Sequence, residues 1–149
     1  MKTIKVNAIK NGTVIDHIAA GKVLKVIDLL NLTGDNSVML GMNLSSNKIG
    51  KKDIIKIENR ELSKEEANSI ALISPSATLI IINDFEVVNK TSLEMPEYIE
   101  EHIICPNPKC ITNSEEIPSK YYINNAEPAT ARCLYCEKKY LVEDLKIKI

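Results

Sequence analysis

The chain has 149 residues, 44% hydrophobic and 26% charged, with a formal net charge of −1. These values describe one globular domain or two small ones and exclude a wholly disordered chain. No stretch of 18 apolar residues is present, so no membrane-spanning helix is expected. Residues 1–100 carry 12 basic and 13 acidic side chains and residues 101–149 carry 7 of each, so neither part is the cationic module that non-specific nucleic-acid binding needs. The N-terminus, Met1-Lys2-Thr3-Ile4-Lys5, lacks a secretory apolar core, and a cytoplasmic location is the expectation. The 22 Ile, 17 Lys and absence of Gln fit heat adaptation or an AT-rich genome, while 14 Asn weigh against the former.

Residues 3–9 alternate in polarity and predict a half-buried strand, closed by the Asn11-Gly12 turn. Thr13 to Ile18 is a second β-rich run. Residues 22–31 shift to a helical period, with Val23, Leu24, Ile27 and Leu30 as the apolar stripe. Val38 to Leu44 and Ile54 to Ile57 read as two strands around a polar loop, 45–50. Ser63 and Glu66 form a capping box that opens a second helix, which Pro75 ends. Ala77 to Ile82 is a buried strand, and Phe85 to Val88 extends or restarts it. Helices separated by paired strands predict an α+β fold, an antiparallel sheet with two helices on one face (ferredoxin-like), followed by a small β-rich zinc-binding domain. The boundary is expected at a linker over about 95–101, giving domains 1–95 and 101–149.

All four cysteines lie in the last third, as Cys105-x4-Cys110 and Cys133-x2-Cys136. Two short-spaced thiol pairs joined by a loop can close a tetrahedral site at about 2.3 Å from one ion, and in a cytosolic chain they indicate metal before disulfides. The expected cofactor is one structural Zn2+, because a four-sulfur site leaves no open position for a reacting water. A segment this short depends on the metal to fold. No nucleophile elbow, phosphate-binding loop or dinucleotide fingerprint is present, so an enzyme is not expected. A zinc ribbon that binds nucleic acid is the alternative, but Arg132, Lys138 and Lys139 are offset by Glu137, Glu143 and Asp144.

Six ordered segments resemble one family along nearly the whole chain. They are Val6 to Ile18 (Val6-Asn7-Ala8-Ile9-Lys10-Asn11-Gly12-Thr13-Val14-Ile15-Asp16-His17-Ile18), Gly41-Met42-Asn43-Leu44, Lys51 to Asn59, Phe85 to Lys90, Cys105-Pro106-Asn107-Pro108-Lys109-Cys110-Ile111 and Cys133-Leu134-Tyr135-Cys136-Glu137-Lys138. The sequence is identified through them as similar to the regulatory chain of aspartate carbamoyltransferase. The resemblance implies a non-catalytic subunit that tunes pyrimidine biosynthesis. Its first domain would bind nucleoside triphosphates, CTP and ATP foremost and UTP as a third, and would pair two regulatory chains as a homodimer. Its second domain would dock on the catalytic chain, with no role for nucleic acid or membrane. Carried over by position, Ala8, Ile9 and Phe85 would lie beside the base, Asp16 would accept from the ribose, and Lys56 would touch base and ribose. Lys90 would reach the phosphates, with His17 and Lys52 nearby. Asn107, Lys109 and Glu137 would meet the catalytic chain. Ile80 and Phe85 depart from the family's better-known members, which have a polar residue and a tyrosine there.

Overall fold

The computed structural model describes residues 8–32 and 34–147. The strand expected over 3–9 lies largely outside them. The elements run β1 (Gly12–Ala19), α1 (Val23–Leu30), β2 (Val38–Ser46), β3 (Gly50–Glu58), α2 (Lys64–Ile73), β4 (Thr78–Asn83) and β5 (Glu86–Ser92). After these come β6 (Tyr98–Glu100), β7 (Ile103–Ile104), β8 (Lys120–Asn124), β9 (Thr130–Cys133), β10 (Lys139–Leu141) and β11 (Lys146–Ile147). Single 3-10 turns cover Ile111–Asn113 and Val142–Asp144.

The first five strands form one antiparallel sheet in the order β2-β3-β1-β4-β5. With α1 and α2 at their places in the chain, its first four strands have the ferredoxin-like connectivity, and β5 is added at one edge. On β3, Asp53, Ile55 and Ile57 are buried while the residues between them are half-buried, as period-two alternation demands. Ile15, Ile18, Ile55 and Ile57 are sealed from solvent. Gly12 is fixed by crowding: a Cβ there would stand 2.2 Å from the Ile57 carbonyl oxygen.

Two compact units divide the chain. One holds the five strands of this sheet, and the other holds α1, α2 and the C-terminal residues. Along α1, Val23, Val26 and Leu30 are buried, whereas Leu24 is 54% exposed. The helix is where its period places it, but the buried stripe follows the i, i+3, i+7 series through Val26 and bypasses Leu24. The Ser63 capping box forms in full: Ser63 Oγ accepts from the Glu66 amide at 3.1 Å, and the Glu66 carboxylate accepts from the Ser63 amide at 3.0 Å. The C-terminal strands make a four-stranded sheet, β10-β9-β8-β6, and the pair β11-β7. Strand β6, within the stretch expected to be linker, is a full member of that sheet, with Ile99 buried between exposed Tyr98 and Glu100.

Candidate functional site

Cys105, Cys110 and Cys133 are buried and Cys136 is half-buried, and none is in a disulfide. All four Sγ atoms lie within 4.8 Å of one another, with Cys105 to Cys136 at 3.7 Å and Cys110 to Cys133 at 3.8 Å. A tetrahedral ion with sulfur at about 2.3 Å requires edges near 3.8 Å, so the thiols fit one zinc ion and leave no space for a multi-iron cluster. The predicted ligand set is therefore assembled as a single site.

Its shape comes from two turns. In the first, the Cys110 amide donates to the Asn107 carbonyl at 3.0 Å. Asn113 Nδ2 ties the turn together by donating to the carbonyls of Cys105 (2.8 Å) and Asn107 (2.7 Å). In the second, the Glu137 amide donates to the Cys133 carbonyl at 2.9 Å, and Glu137 takes a left-handed φ of 62°. Burial pushes the Cys133 thiol up to about 12, against the amides of Cys136 and Tyr135. Burial also acts on Cys136, but the Lys138 amide and the Asn107 side chain outweigh it and bring the thiol down to about 7. Ion binding replaces these protons, and a four-cysteine ion without an open position holds structure and performs no reaction.

The residues expected at the catalytic-chain contact sit on these turns. Lys109 and Glu137 are exposed, whereas Asn107 is half-buried and occupied: its Oδ1 accepts from the Lys109 amide at 3.1 Å. Asn113 carries no spacing signal in the sequence because its partners are backbone carbonyls.

The residues expected to hold a nucleotide spread over the five-stranded sheet. Asp16 Oδ1 pairs with Lys52 Nζ at 2.8 Å and accepts the His17 amide at 2.7 Å. Burial raises the Asp16 carboxyl, but the Lys52 and His17 bonds and charges prevail and hold it below 3.8. His17 lies at an irregularity in β1 with φ 54°, its Nδ1 3.1 Å from Thr78 Oγ1. Lys56, Val14, Ile80 and Lys90 are register partners across β3, β1, β4 and β5, which places them on one face. Adjacent strands stand about 4.8 Å apart, so the two lysines bracket roughly 14 Å of that face, with Ile80 between them. Phe85 is at the tip of the β4–β5 hairpin, 60% exposed, and its amide donates to the Lys10 carbonyl at 2.9 Å. That bond brings Phe85 beside the segment of Ala8 and Ile9 at the opposite end of β1 from Asp16.

A further carboxylate was missed. Asp53 is fully buried and accepts three backbone N–H groups, from Gly21 (2.8 Å), Val23 (3.1 Å) and Asn43 (2.8 Å). It fastens β3 to the turn after β1 and to the irregular part of β2.

Residues 4–94 match the family model described as aspartate carbamoyltransferase regulatory chain, allosteric domain, and residues 97–146 match the model of its metal binding domain. Curated proteins named aspartate carbamoyltransferase regulatory chain are similar over nearly the whole length. The protein of Pyrococcus abyssi is 51% identical over 97% of both chains. That of Thermococcus sibiricus is 47% identical over 99% of this chain and 98% of its own. That of Methanocaldococcus jannaschii is 49% identical over 93% of each. The Ile- and Lys-rich composition fits a thermophile, in line with these relatives.

Proposed function

Since the chain belongs to the aspartate carbamoyltransferase regulatory-chain family, as a non-catalytic subunit with an allosteric and a metal-binding domain, we propose how its residues divide that work. Residues 1–95 form the nucleotide-binding domain and residues 101–149 the zinc domain that docks on the catalytic chain in the cytoplasm. The effectors are nucleoside triphosphates, CTP and ATP with UTP as a third. The observation that carries this reading is the sheet face with Lys56 and Lys90 at the two ends of one register row and the Asp16–Lys52 pair bridging β1 and β3. Lysine ammonium groups are point-charge partners for phosphate. Asp16 spends Oδ1 on its two contacts, and Oδ2 can accept a ribose hydroxyl. Phe85 offers an exposed ring for a base.

Docking falls to the zinc turns, with Asn107, Lys109 and Glu137, because a metal-fixed loop loses little freedom on binding. Two regulatory chains pair through β2, an edge strand whose Val38, Leu40, Met42 and Leu44 are each 38% to 42% exposed. An apolar open edge invites a second strand. A bound nucleotide shifts the assembled enzyme only by binding its two global states unequally, by about 1–3 kcal/mol.

The test is aspartate saturation of the reconstituted complex with and without each triphosphate. At least one triphosphate should move the half-saturating aspartate concentration, and Lys56→Ala with Lys90→Ala should abolish the shift without changing the curve in its absence. Curves that ignore every triphosphate, or a double variant that responds normally, would overturn the reading.

A further inference from the structure

A zinc ion held by four thiolates carries a net charge of −2, and a mostly buried site must offset that charge with donors. Backbone amides supply part of the offset: those of Tyr135 and Cys136 reach Cys133, that of Asn107 reaches Cys105, and that of Lys138 reaches Cys136. Hydroxyls supply another part. Thr112 Oγ1 lies 3.2 Å from Cys110 Sγ. Tyr121 is sealed from solvent on β8, opposite Cys133 of β9, and its ring belongs to the cluster that contains Cys105, Cys110 and Cys133. Tyr140 packs against the same cluster from β10. The hydroxyls of both tyrosines are buried and lack any hydrogen-bond partner among the described residues. The acceptors beside them are sulfurs: Cys133 is the register partner of Tyr121, and Tyr140 packs with Cys136 on the cluster that holds Cys105.

A phenylalanine would fill either place with the same apolar volume. A tyrosine there leaves an orphan donor unless it finds an acceptor, and a buried donor left unmade is costly. The thiolates of the loaded site are the acceptors at hand. We infer that Tyr121 and Tyr140 are positioning residues of the zinc centre, each donating its hydroxyl proton to a thiolate, so that with Thr112 every one of the four sulfurs is faced by a hydroxyl. The inference rests on the structural zinc reading. Donation draws electron density off sulfur, which steadies the charged centre and disfavours protonation of the ligand.

The test uses the full chain carrying Tyr121→Phe and Tyr140→Phe together. Zinc content of the parent chain is measured first; a parent without zinc would defeat the zinc reading itself. Competition with a chromogenic chelator should show zinc held about tenfold more weakly in the double variant, the lower end for partners of metal ligands. Cobalt is then put in place of zinc and the thiolate-to-metal charge-transfer band is recorded, with Thr112→Val setting the size of shift that one hydroxyl produces. Sulfur relieved of a donor gives up charge more easily, so the band should move to longer wavelength. A red shift establishes donation whatever the change in affinity. A band that stays in place, with or without weaker zinc binding, overturns the inference and reduces the tyrosines to packing.

Discussion

The five-stranded sheet and the thiolate region keep their interiors in different ways. In the sheet, Ile15, Ile18, Ile55 and Ile57 are sealed from solvent, and the buried carboxylate of Asp53 is satisfied by three backbone amides. In the C-terminal region, Cys105, Cys110 and Cys133 are themselves members of the buried cluster, beside Tyr121, Ile99 and Ile103. Removing the ion therefore removes part of that core, while the sheet holds none of the four ligands. A region that borrows its stability from an ion can be switched off chemically; a region built on isoleucine can be weakened only residue by residue.

The largest effect should come from the metal. Structural zinc contributes on the order of 10–16 kcal/mol to small metal domains. All five tyrosines lie between residues 98 and 140 and tryptophan is absent, so near-ultraviolet circular dichroism watches the C-terminal region almost alone. Chelation should erase that signal while the far-ultraviolet spectrum keeps a sheet component. Equal loss of both would mean that the sheet, too, depends on the ion.

Asp53→Ala should be the heaviest single blow to the sheet. Three N–H groups lose a charged acceptor, at about 1–3 kcal/mol for each one left unmade, and about 3–5 kcal/mol in all is expected for a buried network broken on one side. Urea unfolding of the zinc-saturated chain measures it, and a change under 1 kcal/mol would deny Asp53 this role. Next comes Ser63→Ala, which removes one side of the capping box at α2 and should cost about 1 kcal/mol.

The smallest effect is that of the Asp16–Lys52 pair. The Asp16 carboxyl is held below its ordinary 3.8, so its stabilising contribution is complete above that pH and is lost as pH falls through the lower folded value. Asp16→Asn should thus be less stable than the parent at neutral pH, with the difference closing only below pH 3.8. A difference that grows on acidification would have the wrong sign.

The metal centre was legible because chelation imposes sequence spacing: a ligand pair must sit on one turn, and Cys133-x2-Cys136 can do nothing simpler. The helix start at Ser63 was legible for the same reason, since its partner Glu66 is three residues away. Asp53 was not, because its three amide partners come from residues 21, 23 and 43, and the run Lys51-Lys52-Asp53 reads like solvated charge. The buried stripe of α1 was misplaced onto Leu24 because Val26 is equally apolar and only packing chooses between them. The hydroxyls of Tyr121 and Tyr140 signal nothing in sequence, since a tyrosine in a strand is ordinary until Cys133 is found opposite Tyr121 and the cysteine cluster beside Tyr140. The nucleotide residues came from resemblance alone. The sheet gathers Asp16, His17 and Lys52 at one end and aligns Lys56 with Lys90, a grouping set by strand register that no local pattern encodes.

The most direct test of the whole account is assembly with the catalytic chain before and after zinc removal, followed by gel filtration with zinc added back. The zinc-loaded chain should form a complex, the stripped chain should form none while its sheet remains folded, and adding zinc should restore assembly. A complex that survives complete removal of zinc would contradict this.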